Sequence, residues 1–236
     1  MSGLLTFIAV TKRFGSRGVL NGLSLSIGAG EVFALVGPNG AGKTTTLNLA
    51  LGFVTPDGGR VQVCGEDVRR DPVKARQCLA YLPEQLALYP NLTGLKNLRY
   101  FTLLAGLDLK PSDLRALLNA AGLADDAHAQ PAGDYSKGMR QKVGIAIAMA
   151  RDARILLLDE PTSGLDPAAA SDLSRAIRAA AARGAAVLMA THDLYRVREV
   201  ADRVGVLRSG RIGEAIDPKR LDHVELEQLY VAELAR

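Results

Sequence analysis

The chain has 236 residues, of which 48% are hydrophobic, enough for one large packed domain. Its 29 basic and 25 acidic residues give a formal net charge of +4 without a long basic run, so nucleic-acid binding is not indicated. No stretch reaches the roughly 18 apolar residues of a transmembrane helix. Cys64 and Cys78 fit neither a metal-ligand spacing nor a disulfide framework, and no signal peptide is visible, so we expect a reducing cytoplasm.

The first third of the chain predicts strands, a glycine-rich turn and one helix. Alternating or continuous apolar patterns predict strands at residues 4–10, 19–27, 31–36 and 59–65. The glycine-rich turn follows Pro38, and the helix after it ends at Gly52.

The rest of the chain predicts a helical segment and then alternating strands and helices. Leucines at helical spacing within residues 86–130 predict two to four helices, with Thr93 and Ser112 as N-caps. The continuously apolar runs at 154–159 and 185–193 predict strands buried on both faces. The later elements are strands at 154–159 and 185–193, helices at 167–183 and 194–202, a hairpin about Ser209–Gly210, and an amphipathic helix at 220–236.

The segment GPNGAGKTT, residues 37–45, satisfies the pattern G-x-x-x-x-G-K-S/T between a predicted strand and a predicted helix. Its glycines allow backbone N–H groups to surround phosphate oxygens, and the helix dipole favours the same anion. Lys43 adds a full positive charge, and the Thr44 hydroxyl is a ligand for Mg²⁺. The residues expected to bind the nucleotide here are Gly37, Pro38, Asn39, Gly40, Ala41, Gly42, Lys43, Thr44 and Thr45.

Two adjacent carboxylates follow the predicted strand at 154–159. Asp159 at the end of that strand can hold Mg²⁺, and Glu160 can polarise an attacking water. A solvated turn is the alternative interpretation of these two residues. A P-loop GTPase is the competing enzyme class, but the sequence lacks the N-K-x-D guanine motif.

The ordered set of motifs from Phe14 to His192 resembles the nucleotide-binding subunit of ABC (ATP-binding cassette) transporters. Residues 37–45 are similar to the Walker A loop of that family, and ILLLDE to its Walker B strand. The resemblance implies that Gln85 of LPEQ senses Mg²⁺, water and the membrane partner, and that His192 of ATHD lies near the γ-phosphate. It also implies that Asp166 of SGLDP is the D-loop acid and that Phe14 stacks on adenine.

The segment YSKGM is similar to the LSGGQ signature of the same family, with Ser136 and Gly138 kept and Lys137 and Met139 departing from it. Ser136 is a predicted N-cap. Lys137, Arg140 and Lys142 add positive charge at the start of the helix, where the helix dipole is already positive. The resemblance implies that Ser136, Gly138 and Asp166 contribute to nucleotide binding. We expect ATP bound to a second subunit to relieve this repulsion. His128 and His223 match no motif and are expected at the surface.

The resemblance implies an α/β fold, with a P-loop NTPase core on a mostly parallel sheet, an N-terminal antiparallel β subdomain and an inserted α-helical subdomain. The whole chain, 1–236, is expected to be a single ABC ATPase domain. Residues 1–85 and 150–216 would form the RecA-like core with the antiparallel β subdomain, 86–149 the helical signature subdomain, and 217–236 a C-terminal helix.

The resemblance also implies a function and a set of partners. The chain is expected to bind ATP and Mg²⁺, to hydrolyse ATP in a head-to-tail homodimer, and to power a separate integral membrane permease that docks near Gln85 and the helical subdomain. The chain is therefore expected on the cytoplasmic face of the inner or plasma membrane. No nucleic-acid partner is expected. The short C-terminus and the signature variant favour an exporter of the ABC-2-like group. The expected catalytic residues are Glu160, His192, Gln85 and Lys43, and the expected metal ligands are Thr44, Gln85 and Asp159.

Two other classes of ABC protein are alternatives to this function. A soluble ABC ATPase of DNA repair, chromosome maintenance or translation would carry long insertions or two cassettes, and the sequence has one cassette without them. A degenerate cassette that binds ATP only structurally would lack Glu160 or His192, and both are present.

Overall fold

The computed structural model describes residues 3–235, so residues 1, 2 and 236 of the predicted domain lie outside the described part. The strands are β1 (Leu5–Phe14), β2 (Arg17–Ile27), β3 (Val32–Val36), β4 (Gly58–Val63), β5 (Glu66–Asp67), β6 (Leu79–Leu82), β7 (Ile155–Asp159), β8 (Ala186–Thr191), β9 (Arg203–Arg208) and β10 (Arg211–Ile212). The helices are α1 (Lys43–Ala50), α2 (Pro72–Gln77), α3 (Gly94–Leu104), α4 (Pro111–Ala120), α5 (Lys137–Ala150), α6 (Pro167–Ala182), α7 (Leu194–Val200) and α8 (His223–Ala235).

Residues 3–235 form two sheets. The antiparallel sheet has the order β2-β1-β4-β5. The larger sheet has the order β10-β9-β3-β8-β7-β6, and its strands are parallel except for β10. Every residue of β7 and β8 is buried, which confirms the prediction of strands covered on both faces. Every residue of β3 is buried as well. The predicted α/β fold with both kinds of sheet is therefore confirmed.

Alternate residues of the parallel strands face two different cores, as the two-residue period of a strand requires. Phe33 and Leu35 of β3 pack with the antiparallel sheet and α1, whereas Val32, Ala34 and Val36 pack with the helices on the opposite face. Because β3 lies between these cores, the loop that follows it is fixed from both sides.

The helical segment differs in detail from the sequence prediction. Thr93 caps α3, accepting from the N–H of Lys96 at 3.2 Å, as expected. Helix α4, however, begins at Pro111 with Lys110 as its N-cap, so the prediction that Ser112 caps it is wrong. A proline at the first helical position needs no hydrogen-bond partner for its nitrogen and already has a helical φ, so it sets the start of the helix.

The two unassigned histidines have different environments. His128 is fully buried, so its predicted surface position is wrong; its Nε2 lies 3.1 Å from the carbonyl oxygen of Leu123. His223 is exposed, and its ring stacks on Tyr195 with centroids 4.8 Å apart. Helix α2 and strand β6 were not predicted at all. Among residues 3–235, no helix combines the length and apolar character needed to cross a membrane.

Candidate functional site

The carboxyl ends of β3, β7 and β8 meet at one edge of the parallel sheet, because β8 pairs with both β3 and β7 in parallel register. Residues 37–42 follow β3, Glu160 follows β7, and His192 follows β8. Three segments that are distant in sequence are thereby brought to the same place. Crevices at the carboxyl ends of the strands are where open α/β sheets bind ligands.

The loop after β3 has the backbone that a phosphate site requires. Gly42, at the N-cap of α1, has a φ of 110° and carries no side chain to cap the first turn of that helix. At Gly37 a Cβ atom would lie 2.5 Å from the carbonyl oxygen of Leu207, so only glycine fits there. The first-turn N–H groups of α1 therefore face the site as anion donors.

Lys43 is the buried cation of the site, with 7% of its side chain exposed. Its Nζ donates to the carbonyl oxygen of Gly37 at 2.7 Å and lies 3.5 Å from Oε1 of Glu160. The two contacts hold the ammonium group over the loop, where it can meet phosphate oxygens.

Thr44 and Asp159 bring two oxygen atoms together beside Lys43. The Thr44 hydroxyl donates to Oδ1 of Asp159 at 3.4 Å. Burial raises the pKa of Asp159 above its ordinary value, the hydrogen bond from Thr44 works against the increase, and the neighbouring Glu160 and Glu84 carboxylates add to it. A hydroxyl and a buried carboxylate, both oxygen donors, fit the ligand preference of Mg²⁺.

Glu160 has a strained backbone and two polar partners. Its φ of 44° is unusual for a residue with a side chain, a conformation that costs about 1–3 kcal/mol and is retained mainly at functional sites. Oε2 of Glu160 lies 2.9 Å from Nδ1 of His192, and Oε1 faces Lys43. The carboxylate is thus oriented from both sides, while the His192 side chain is 62% exposed.

A cavity of about 380 Å³ opens at this edge of the sheet. The residues that line it are Phe14, Arg17, Val19, Pro38, Asn39, Gly40, Gly42, Lys43, Thr44, Thr45, Glu84, Asp159 and Glu160. Phe14, half exposed, forms part of the wall, where its ring is accessible for stacking. Most of the predicted nucleotide and metal ligands therefore share one cavity.

The structure does not bring Gln85 to this cavity. Gln85 is exposed, and the preceding residue, Glu84, lines the cavity instead. Sequence reasoning also missed Arg17, whose guanidinium donates to the carbonyl oxygen of Gly40 at 3.4 Å. Its position three residues after Phe14 is a sequence signal that could have identified it.

Three predicted binding residues lie outside the cavity of their own chain. Ser136 is the N-cap of α5, accepting from the N–H of Met139 at 3.2 Å, as predicted. Asp166 is the N-cap of α6, accepting from the N–H of Ala169 at 2.9 Å. Gly138 is buried, and a Cβ atom there would lie 3.0 Å from the Cβ of Ala169, so its lack of a side chain also serves packing between α5 and α6.

The positive charge at the start of α5 is partly balanced within the chain, in addition to the relief expected from ATP bound to a second subunit. Lys142 pairs with Asp172 at 2.7 Å, and Arg140 donates to the carbonyl oxygen of Tyr135. Lys137 packs its side chain beside Gly164, so it remains close to the segment that precedes Asp166.

Residues 20–163 match the family described as ABC transporter. The chain belongs to the ABC transporter family. It is 39% identical over 209 residues to the Nod factor export ATP-binding protein I of Burkholderia lata, covering 88% of this chain and 68% of that protein. The structure of an ATP-binding subunit of an ABC transporter superimposes with a TM-score of 0.84 at 30% identity, over 99% of this chain and 100% of that one.

A third similar protein is an ATP-binding cassette solved as a dimer in a post-hydrolysis state with ADP and Pi. It is 25% identical with a TM-score of 0.79, over 91% of this chain and 98% of that one. The present cassette is accordingly an ATP-binding ATPase of the ABC transporter family. These comparisons support the transporter subunit and give no support to a soluble ATPase of DNA repair, chromosome maintenance or translation.

Proposed function

We propose that two copies of this cassette close head to tail around ATP and drive a separate membrane permease that exports its substrate. The observation that carries the proposal is the arrangement of Lys43, Asp159 and Glu160 at one edge of the sheet, with Lys43 beside Glu160. The export direction is supported by the name of the 39% identical relative, an export ATP-binding protein. It also agrees with the expectation of an ABC-2-like exporter.

Lys43 and the loop 37–42 bind the phosphates, and the α1 dipole adds to their attraction. Thr44 and Asp159 would hold Mg²⁺, which when bound neutralises charge on the phosphate oxygens. Glu160 orients the attacking water and accepts its proton at the carboxylate, which His192 holds through Nδ1. Phosphoryl transfer depends mainly on such positioning and charge stabilisation.

Ser136, Gly138 and Asp166 serve the ATP of the second copy in this proposal. Each lies outside the cavity of its own chain, although the resemblance implies that all three bind nucleotide. A two-fold axis between the copies reconciles these two observations. It would set the N-terminus of α5 of one copy against the 37–45 loop of the other. The bound nucleotide then links the copies, and its hydrolysis releases them.

The permease would dock on the surface formed by residues 86–94 and α3. Leu86 and Leu88 pack into the core of this chain, so they support the surface from below. Tyr89 and Leu104 are 47% and 68% exposed, and the ring of Tyr89 meets Tyr100 edge to face at 4.8 Å. An exposed apolar and aromatic patch of this kind is typical of interaction sites. In this proposal the cassette would lie on the cytoplasmic face of the membrane.

The decisive experiment substitutes Ser136 at the start of α5, a residue that does not line the cavity of the same chain. Ser136→Arg should leave ATP binding by the monomer unchanged but block ATP-dependent dimerisation, measured by light scattering, and abolish turnover. Ser112→Arg, which adds the same charge at an exposed position of α4, is the control and should dimerise normally. If Ser136→Arg abolished monomer binding, or dimerised with full turnover, the assignment of this serine to the partner's ATP would be wrong.

A further inference from the structure

The two cysteines of the chain lie at opposite ends of a short segment that leaves the antiparallel sheet and enters the parallel one. Cys64 follows β4, and Cys78 precedes β6. Both thiols are free and half-buried, and both pack against the core that the antiparallel sheet shares with β3 and α1. Neither cysteine lines the nucleotide cavity, so the proposed ATP chemistry uses neither thiol.

Cys64 occupies a tight turn whose backbone is fixed. Cys64 and Gly65 join β4 to β5 with φ values of 50° and 86°. Positive φ at both central residues is typical of a type I′ hairpin turn, where the first of them is usually asparagine, aspartate or glycine. A cysteine there is strained. Its N–H donates to the carbonyl oxygen of Leu4 at 2.7 Å, so the thiol projects from an anchored turn.

Helix α2 brings Cys78 against this turn. Lys74 of α2 forms an ion pair with Glu66 of β5, two residues after Cys64. Lys74 and Cys78 are four residues apart at the end of α2, and side chains at that spacing lie on the same helix face. The carbonyl oxygen of Cys78 accepts from the N–H of Ile155 at 3.0 Å. The ion pair and this bond together hold Cys78 beside the turn that carries Cys64.

The two thiols are close enough to interact directly. Burial raises the pKa of Cys64 to about 12, a hydrogen bond with the Cys78 thiol and its charge add to the increase, and Arg154 works against it. Cys64 is therefore a protonated thiol at neutral pH. The ammonium group of Lys74 interacts with Cys78 and attracts negative charge on its sulfur. Cys78 is accordingly the nucleophile of the pair.

We propose that Cys64 and Cys78 are a redox-sensitive site, at which a peroxide converts the two thiols into a reversible disulfide that ties the antiparallel sheet to the start of β6. In a reducing compartment such a pair stays reduced until an oxidant reaches it, and a thiol reductant restores it afterwards. The site is independent of the proposed ATP chemistry.

The oxidation takes place in two steps. The Cys78 sulfur attacks one peroxide oxygen, the O–O bond breaks, and the other oxygen leaves as water with the Cys78 proton, so that Cys78 becomes a sulfenic acid. The Cys64 sulfur then attacks the Cys78 sulfur, the S–S bond forms, and the S–OH oxygen leaves as a second water with the Cys64 proton. The two thiols lose two electrons in all, and hydrogen peroxide gains them as it is reduced to two waters.

The experiment treats the reduced protein with hydrogen peroxide in EDTA, which removes any metal ion that could protect the thiols. The protein is then unfolded, and the remaining thiols are labelled with N-ethylmaleimide. Both labels should be lost together, a peptide map without reductant should show Cys64 linked to Cys78 within one chain, and dithiothreitol should restore both labels. Because the cross-link restricts the unfolded chain, Tm should rise by about 5–10 °C on oxidation.

Single variants test the order of the two steps. The Cys78 thiol in Cys64→Ser should give a sulfenic acid, trapped with dimedone, about tenfold faster than the Cys64 thiol in Cys78→Ser, since the thiolate is the nucleophile. Neither variant should show the rise in Tm on oxidation. The reverse order of rates would refute the assignment of Cys78 as the nucleophile. Independent loss of the two labels, a link only between chains, or two intact labels at a peroxide concentration that oxidises free glutathione would overturn the proposal. None of these outcomes depends on whether the proposed function is correct.

Discussion

Glu160→Gln is the substitution that tests the catalytic carboxylate most directly. The change keeps the side-chain size but removes the negative charge that lies 3.5 Å from Nζ of Lys43. At an effective dielectric constant of about 20, the attraction across that distance is about 5 kcal/mol before desolvation is subtracted. Burial of both groups offsets most of it.

The part of this attraction that remains opposes ATP binding, because Glu160 and the phosphates compete for the positive charge of Lys43. If about 1.4 kcal/mol of it is net, ATP should bind about tenfold more tightly to Glu160→Gln. Hydrolysis should fall by roughly 10²–10⁴-fold, the usual contribution of a general base. Tight binding without turnover should then leave ATP-bound dimers accumulated.

The assay measures nucleotide affinity by fluorescence, phosphate release for turnover, and light scattering for dimers, each with ATP and Mg²⁺. Glu227→Gln, with the same loss of charge on an exposed surface, is the control. Turnover at the unaltered rate would refute the role given to Glu160. Weaker ATP binding would refute the argument that Glu160 competes with the phosphates for Lys43.

The remaining predictions concern the buried polar groups around the site. Burial raises the pKa of Asp159 above its ordinary value, so the folded chain holds the proton more tightly than the unfolded chain does. The resulting stability is lost as the pH rises from the pKa of Asp159 in the unfolded chain to its pKa in the folded chain. Asp159→Asn should therefore raise Tm at pH 7 by about 2–4 °C by calorimetry, with a smaller gain as the pH approaches 4; an unchanged or lower Tm at pH 7 contradicts this. Gln141→Leu should lower the free energy of unfolding by roughly 1 kcal/mol, because the carbonyl oxygens of Pro83 and Glu84 lose a buried donor. Denaturant unfolding measures this change, and an unchanged free energy of unfolding would contradict it.

The sequence predicted the local features of the site because each is encoded within a few neighbouring residues. The loop at 37–45 needs glycines and a lysine at fixed spacing, and the apolar runs that became β7 and β8 mark strands covered on both faces. Ser136 as an N-cap needs only the residue type and the helix that follows. Motif order then supported the resemblance that implied a shared nucleotide site.

The structure decided the features that depend on contacts between distant segments. Strand β6 has four residues, so its apolar pattern is too short to be recognised as a strand from the sequence. Its place in the fold comes from pairing with β7 at the end of the sheet. The full burial of His128 has no sequence signal, although the carbonyl oxygen of Leu123 that partners its ring is close in the chain. In LPEQ the side chain that faces the cavity is Glu84, because Gln141 from α5 holds the backbone there. Sequence determined the chemistry of the site, and tertiary packing determined which of two adjacent side chains takes part in it.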